Sequence, residues 1–199
     1  MKILQINSSL KTEHSYSSKL SNAIIEKLRE KEPSLTLVTR NLTNSPLPYF
    51  SENHFKAFSN SDDIDPVEKE ETVKLSDQLI SELIDADIIV IGVPTYNLTI
   101  PSVLKSWIDF IVRAGKTFRY TADGANGLIG NKKVYLAISS GGVFSEGPRK
   151  MFNFTEPYLK AVLGFIGLTD VEAVRVEGLA IPGIKETALE KAVQNIVIQ

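Results

Sequence analysis

Hydroxyl side chains are concentrated in the segment 8–18, which contains five serines together with Thr12 and Tyr16. The segment follows a short apolar run and precedes a stretch of helical period. The N-terminus of a helix offers unpaired N–H groups and a partial positive charge, so hydroxyl donors at this point would form a phosphate-binding site. The alternative is that these serines only cap the helix and form a solvated loop. We expect His14, in the same segment, to be a bystander rather than a ligand.

Two motifs that bind larger phosphate groups are missing from the chain. There is no Gly-x-Gly-x-x-Gly motif for the pyrophosphate of a dinucleotide, and no complete Gly-x-x-x-x-Gly-Lys-Ser/Thr motif for a nucleoside triphosphate. The hydroxyl-rich segment is therefore expected to bind a single terminal phosphate.

The segment 94–101 combines an aromatic ring, an amide and two prolines. A flat heteroaromatic ligand needs an aromatic or apolar surface against its face and amide groups at its edge. Tyr96, Asn97 and the local backbone could provide both. The alternative is a proline-bounded turn, with Thr99 near the N-cap of the next helix and Pro101 as its first residue.

A third segment, 139–148, contains the pair Gly141 and Gly142. Glycines allow main-chain N–H groups to approach a ring closely, and such donors could stabilise negative charge on a reduced flavin. The alternative is a tight turn. Ser145 is flanked as Gly-x-x-Ser-x-Gly rather than Gly-x-Ser-x-Gly, so it does not match the nucleophile motif of the α/β hydrolases.

The composition excludes several other kinds of chemistry. The 199 residues include no cysteine and only two histidines, His14 and His54. Disulfides, thiolate metal sites and cysteine nucleophiles are therefore ruled out, and a zinc site is not expected. The 22 basic and 24 acidic residues give a net charge of −2, and the basic residues are scattered, which argues against a nucleic-acid-binding surface.

Hydropathy indicates neither a membrane span nor a secretory signal. No run of 18 apolar residues is present, and the apolar start at 1–7 is too short for a signal peptide. We therefore expect a cytoplasmic protein that does not enter a membrane. Without a linker, a repeat or a low-complexity segment, the chain is expected to form one domain, 1–199.

Five short apolar runs alternate with longer segments of helical period. The expected strands are 2–7, 35–41, 88–93, 133–139 and 171–177. The expected helices are 17–31, 66–84, 101–112, 155–165 and 185–197. This alternation predicts parallel crossovers and a doubly wound three-layer α/β sandwich. Two stretches interrupt it, a surface excursion at 42–61 and a loop at 114–130 with a short hairpin around 116–121.

In an open parallel sheet, ligands bind outside the carboxyl ends of the strands, at the point where the strand order reverses. The three segments with candidate groups follow the first, third and fourth strands, so the fold would bring them together. A phosphate site, a ring platform and a ring-edge loop describe a mononucleotide with a tricyclic head, which is FMN.

The chain resembles the FMN-dependent NADH:quinone oxidoreductases, also called azoreductases, of the flavodoxin-like superfamily. The resemblance extends over nearly the whole sequence. It includes SSL and SYS after the first strand, Pro-x-Tyr-Asn after the third, SSGG after the fourth, the stretch WIDFIVRAGKTFRYTADGANGL and the segment 158–171. The pattern Arg-Ala-Gly followed by Thr-Phe-Arg-Tyr at 113–120 is hard to obtain by chance.

The resemblance implies a flavodoxin-like five-stranded parallel sheet in the order 2-1-3-4-5, helices on both faces, and FMN as bound cofactor. The residues that it assigns to the phosphate are Ser9, Ser15, Tyr16 and Ser17. The residues that it assigns to the ring are Thr95, Tyr96, Asn97, Leu98, Ser139, Ser140, Gly141 and Gly142.

The resemblance also implies an enzyme that passes a hydride from NADH through N5 of FMN to a quinone or azo acceptor in a ping-pong cycle. The cofactor does the chemistry, so no catalytic protein residue and no metal are expected. Members of the family are homodimers with two active sites at the subunit interface. Tyr120 and Phe144 are expected to contact the substrate, and Trp107 and Phe110 are expected in the core rather than in the interface.

Two positions depart from a member of the family, because Thr95 replaces a methionine and Phe144 replaces a histidine. The physiological acceptor and the choice between NADH and NADPH are therefore left open. The alternative functions are a flavodoxin-like electron carrier without an NADH site and an FMN-binding protein without turnover. Electron carriers tend to be strongly acidic for docking to their partners, and a net charge of −2 is small by comparison.

Overall fold

The computed structural model describes residues 1–11, 14–130 and 132–198. Its main sheet consists of the parallel strands β1 (Lys2–Asn7), β2 (Thr36–Asn41), β3 (Ile88–Pro94), β6 (Lys133–Ser139) and β7 (Asp170–Val176). A separate antiparallel hairpin consists of β4 (Phe118–Thr121) and β5 (Gly124–Gly127). The order across the main sheet is β2-β1-β3-β6-β7, which is the predicted order when strands are counted within this sheet alone.

Helices cover both faces of the main sheet. The α-helices within the described ranges are α1 (Tyr16–Lys31), α2 (Glu52–Phe58), α3 (Pro66–Asp85), α4 (Ser102–Ile111), α5 (Thr155–Phe165) and α6 (Lys185–Gln194). Helices α1 and α6 pack on one face, and α3, α4 and α5 pack on the other. The predicted three-layer sandwich is therefore confirmed.

The central strands are apolar throughout because both of their faces are covered. In β3 and β6 every residue after the first is buried. Successive side chains of a strand point to opposite faces. Ile89 and Ile91 therefore enter the core under α3, α4 and α5, whereas Val90 enters the core under α1 and α6. Trp107 and Phe110 of α4 are fully buried in the first of these cores, as expected.

The segment 42–61 is more than a surface excursion, because it contains α2. Phe50 lies just before this helix and Phe58 is its last residue. Both rings pack edge-on against that of Phe110, with ring centroids 5.8 and 6.1 Å away. Ser51 caps the helix through two reciprocal hydrogen bonds. Its hydroxyl accepts from the N–H of His54, and the ring Nδ1 of His54 accepts from the N–H of Ser51 at 2.9 Å. The sequence pattern does not predict this helix, because its seven residues are too few to show a helical period.

Two local predictions are wrong in detail. The hairpin spans 118–127 rather than 116–121, since Thr117 belongs to the preceding turn and its hydroxyl donates to the carbonyl of Ile111 at 2.7 Å. Pro101 is the N-cap of α4 rather than its first residue, with an extended ψ of 149°. Thr99 does not cap this helix. It pairs with Tyr96 instead.

None of the helices formed by the described residues is both long enough and apolar enough to cross a membrane. The same residues contain no group of three or more histidine or carboxylate side chains that could hold a metal ion.

Candidate active site

A cleft of about 460 Å³ opens at the carboxyl ends of β1, β3 and β6. This volume lies within the usual range for ligand pockets. The chain leaves β1 toward β2 on one side and later returns to β3 on the other, so the cleft lies where the strand order reverses. Its lining residues are Ser9, Lys11, His14, Ser15, Tyr16, Pro94, Thr95, Tyr96, Ser139, Ser140, Gly141, Leu179, Ala180 and Lys185.

The first wall of the cleft is the N-terminus of α1. Ser15 is the N-cap, and its Oγ accepts from the N–H of Ser18 at 3.1 Å. The Oγ atoms of Ser15 and Ser17 lie 3.2 Å apart, and both side chains are buried. The N–H groups of the first helical turn have no partner inside the helix. Ser15 therefore caps the helix, as the alternative interpretation held, and the same turn still offers donors to a ligand.

The position of this helix depends on a glycine in the neighbouring strand. A Cβ atom added to Gly92 of β3 would lie 3.1 Å from Asn7 Oδ1 and 3.4 Å from the carbonyl oxygen of Ser17. The hydroxyl of Ser8 donates to the carbonyl of Gly92 at 2.7 Å. Close contact between β1, β3 and α1 thus places the helix terminus at the sheet edge.

The described rim of the cleft is cationic. Lys11 and Lys185 line the cleft, as does His14, and no carboxylate is among the lining residues that the structure describes. Thr12 and Glu13, which belong to the hydroxyl-rich segment, lie outside the described residues. A cationic rim around unpaired N–H groups favours an anionic ligand.

The second wall follows β3 and contains a strained turn. Tyr96 and Thr99 exchange main-chain hydrogen bonds of 3.0 and 3.1 Å. Between them, Asn97 and Leu98 have φ angles of 48° and 72°, which is the geometry of a type I′ turn. Asparagine tolerates the left-handed region, but leucine pays about 1–2 kcal/mol for it. Strain of this kind is concentrated at functional sites.

The third wall follows β6, and its main-chain carbonyl groups are hydrogen-bonded whereas two of its N–H groups are not. The carbonyl oxygens of residues 140–142 accept from N–H groups of residues 178–180, at 2.9 to 3.1 Å. The N–H groups of Gly141 and Gly142 donate to no acceptor within the described ranges. The N–H of Thr95 donates to the carbonyl of Ser139 at 2.7 Å, which ties the second wall to the third. The two glycine N–H groups are therefore available to a ligand.

The structure brings most of the expected cofactor-binding residues together. Those that line the cleft are Ser9, Ser15, Tyr16, Thr95, Tyr96, Ser139, Ser140 and Gly141. Those that adjoin a lining residue in the chain without lining the cleft themselves are Ser17, Asn97, Leu98 and Gly142.

The two expected substrate contacts are not part of the lining of this cleft. Tyr120 lies on β4 and is 75% exposed. Phe144 packs toward Gly142, where an added Cβ would lie 3.0 Å from the tip of the phenyl ring. Their roles toward a substrate stay predictions.

Six lining residues are outside the expected cofactor-binding set. Lys11, Pro94 and His14, which was expected to be a bystander, belong to the segments already singled out, whereas Leu179, Ala180 and Lys185 belong to none of them. The last three follow β7, the fifth strand of the sheet, whose carboxyl end meets the same edge as the others. A signal was present in the segment 178–183, where two glycines and a proline come directly after the fifth apolar run.

Comparison with known proteins supports the same fold over the whole chain. A family model described as "Flavodoxin-like fold" matches residues 1–198. An FMN-dependent NADH:quinone oxidoreductase of Herminiimonas arsenicoxydans is 46% identical over 179 residues, which cover 90% of this chain and 88% of that protein.

Two crystal structures of azoreductases from Bacillus anthracis are similar to this chain. The azoreductase of strain Sterne has a TM-score of 0.84 and 35% identity, with 98% of this chain and 97% of that one covered. The FMN-dependent NADH-azoreductase of strain Ames Ancestor, in complex with FMN, has a TM-score of 0.86 and 26% identity, with 98% and 95% covered.

Proposed function

The chain belongs to the flavodoxin-like family of FMN-dependent NADH:quinone oxidoreductases, and we propose that it is an FMN-dependent enzyme that uses NADH to reduce quinones and azo compounds. The observation that supports this most directly is the cleft at the strand ends, with an anion site at one end and unpaired glycine N–H groups at the other.

The first wall fits the phosphate of FMN. A phosphate group has only acceptor atoms, and this wall offers helical N–H groups and the hydroxyls of Ser9 and Ser15, while Lys11 and Lys185 line the same cleft as cations. Ser17, whose Oγ lies 3.2 Å from that of Ser15, is proposed to join them when the phosphate binds. Helix N-termini with such donors bind phosphates commonly. The absence of a carboxylate from the described lining removes the main source of repulsion.

The other two walls fit the ring of FMN. A flavin ring has acceptor atoms along its polar edge, and the N–H groups of Gly141 and Gly142 have no acceptor in the parts of the chain that the structure describes. Tyr96 also lines the cleft, and the two residues after it, Asn97 and Leu98, are held in a turn by their positive φ angles. These donors and this platform together match a planar heteroaromatic group.

When bound, FMN would supply two-electron chemistry, with N5 as the proposed route of a hydride from NADH to the acceptor in a ping-pong cycle. The protein residues would bind and orient the cofactor. The N–H groups of Gly141 and Gly142 would stabilise negative charge at the ring edge, and the bonds from residues 178–180 to the carbonyls of residues 140–142 hold their loop in place. Donor and acceptor would enter through the mouth of the cleft, where water would supply protons.

A homodimer is part of the proposal, and an exposed aromatic cluster supports it. The ring of Phe118 lies 5.4 Å from that of Tyr120 and 4.5 Å from that of Phe165 at the end of α5. Tyr120 and Phe165 are exposed, whereas Phe118 between them is buried. Exposed apolar clusters of this kind are typical of protein interfaces. A Tyr120→Arg variant is expected to lower the mass measured by light scattering toward that of one chain.

The decisive experiment uses the purified protein. We expect a yellow sample, or uptake of added FMN, and bleaching of the bound flavin by NADH without oxygen, followed by recovery on addition of a quinone or an azo dye. A protein that takes up no FMN would overturn the proposal. Bound flavin that NADH cannot reduce would favour an electron carrier instead. Equal flavin content in the wild type, Asn97→Ala and Gly142→Val would overturn the assignment of the two loops.

A further inference from the structure

Glu177, the residue after β7, reaches across to the loop that follows β6. Its Oε1 accepts from the N–H of Phe144 at 2.9 Å and from the N–H of Ser145 at 3.1 Å. Its Oε2 accepts from the hydroxyl of Ser145. One carboxylate thus holds three donors of two consecutive residues, and hydrogen bonds to a charged acceptor are about twice as strong as neutral ones.

These bonds complete a larger set of contacts between two loops. Residues 178–180 donate to the carbonyls of residues 140–142, and Glu177 accepts from residues 144 and 145. The hydroxyl of Ser140 also donates to the carbonyl of Gly142 at 2.7 Å. In the loop 140–145, the carbonyl groups of residues 140–142 and the N–H groups of residues 144 and 145 are therefore hydrogen-bonded. The N–H groups of Gly141 and Gly142 have no acceptor in the described ranges.

The charge of Glu177 also affects Arg175 on β7. Burial lowers the pKa of the Arg175 guanidinium, and the negative charge of Glu177 opposes that change. Arg175 is paired with Glu156 of α5. Because Arg175 makes its ion pair with Glu156, the hydrogen bonds of Glu177 go to Phe144 and Ser145 of the loop.

We propose that Glu177 is a positioning residue for the flavin: by holding Phe144 and Ser145, it keeps the N–H groups of Gly141 and Gly142 directed at the ring edge. This inference rests on the proposed function, in which this loop binds the ring. When the carboxylate is removed, the loop relaxes and these donors turn away, so reduced flavin, which is negatively charged, loses more binding energy than oxidised flavin.

The sign of the change separates positioning from a direct effect of charge. Loss of a negative charge near the ring would by itself favour the reduced flavin and raise its midpoint potential. Loss of aligned N–H donors would disfavour the reduced flavin and lower that potential. Glu177→Gln removes the charge but keeps an amide oxygen that can accept from both N–H groups. Glu177→Ala removes the charge and every acceptor, so the two variants together distinguish positioning from charge.

The test compares the wild type with Glu177→Ala, Glu177→Gln, Ser145→Ala and Glu172→Gln. Ser145→Ala keeps the charge of Glu177 but removes one of its donors. Glu172→Gln is the matched control, since Glu172 lies on the same strand at the opposite end of the sheet and pairs with Lys133 at 3.2 Å. The dissociation constant of FMN is measured by quenching of flavin fluorescence, and the midpoint potential of bound FMN by equilibration with redox dyes.

For Glu177→Ala we expect roughly tenfold weaker binding of FMN and a further tenfold loss for the reduced form, which is about 30 mV lower in potential for a two-electron couple. Glu177→Gln, which loses the charge and keeps the acceptor, is expected to have a potential no lower than that of the wild type. Ser145→Ala is expected to change both quantities in the direction of Glu177→Ala by less, and Glu172→Gln is expected to change neither quantity. An unchanged or higher potential in Glu177→Ala, with FMN bound by the wild type, would overturn the inference. A wild type that binds no FMN would instead overturn the proposed function.

Discussion

Thr95 and Thr155 face each other with their Oγ1 atoms 3.1 Å apart. The contact joins the end of β3 to the first turn of α5. Thr155 is only 2% exposed, and its hydroxyl has no other hydrogen bond within the described ranges. Thr95 lines the cleft, so its hydroxyl is occupied inside the protein at a position that faces a ligand. A residue at the site thereby also stabilises the fold.

Thr95→Val should lower the free energy of unfolding, measured by urea denaturation, by about 1–3 kcal/mol, because the buried hydroxyl of Thr155 then lacks a partner. The double variant Thr95→Val/Thr155→Val should recover most of that loss, since two apolar groups of the same shape replace both partners. A double variant as unstable as the sum of the single variants would contradict the importance of this contact.

Ser15 and Ser17 should respond differently to alanine substitution. Ser15→Ala removes the N-cap and should lower the free energy of unfolding by about 1 kcal/mol, as caps commonly do. Ser17→Ala should leave stability nearly unchanged, because its hydroxyl contacts only that of Ser15 among the described residues. The Ser17→Ala variant should bind FMN about tenfold more weakly, which is the expected effect of losing one hydrogen bond to a charged group.

Riboflavin, which lacks the phosphate, is the control ligand for Ser17→Ala. Its dissociation constant, measured by the same fluorescence titration, should not change. Equal weakening of FMN and riboflavin would show that Ser17 does not act on the phosphate.

Leu98→Gly should raise stability and weaken FMN binding at the same time. Leu98 has a φ of 72° and is 37% exposed, so glycine relieves the backbone strain, which outweighs the loss of the covered part of the side chain. The resulting Asn-Gly pair is the preferred sequence of a type I′ turn. We expect a gain of about 1 kcal/mol in the free energy of unfolding, together with a higher dissociation constant for FMN, because the side chain next to the ring platform is gone.

Leu128→Gly is a matched control for this effect. Leu128 is similarly exposed, at 41%, but it is not among the residues with positive φ. Glycine at that position should therefore lower stability rather than raise it. The same gain in both variants would show that the strain at Leu98 has no part in the result.

Gly142→Ala should weaken FMN binding through contact with Phe144. The added methyl would lie 3.0 Å from the tip of the phenyl ring, so the ring or the loop must move. The double variant Gly142→Ala/Phe144→Ala removes the ring and should bind FMN more tightly than expected from the two single variants. Titration of the wild type, the two single variants and the double variant with FMN gives the coupling free energy between positions 142 and 144. Additive effects would argue against a steric cause.

The main sheet could be predicted because each strand is locally visible in the sequence. A strand covered on both faces, such as Ile88–Pro94, is a continuous apolar run bounded by polar residues or proline. Two of the three cleft walls follow such runs directly, at 94–101 and 139–148, so the positions of their polar groups could be inferred from the rule for parallel sheets.

The rest depends on contacts that have no local pattern. Leu179 and Ala180 join the site through main-chain bonds to residues 140 and 141, which any side chains could make, so the glycines and proline at 178–183 indicate a turn there but not its partner. The left-handed φ of Leu98 is also invisible in the sequence, since leucine rarely adopts it. Helix α2 is held by aromatic packing of Phe50 and Phe58 rather than by an amphipathic period.

The cleft is lined by residues from Ser9 to Lys185, so both ends of the chain must be folded before it exists. A ligand that binds only the folded chain stabilises all of it by mass action, by about 2.7 kcal/mol when present at a hundredfold excess over its dissociation constant. In a cell, the supply of FMN would then set how often the chain opens to proteases, and the abundance of the protein would follow its cofactor.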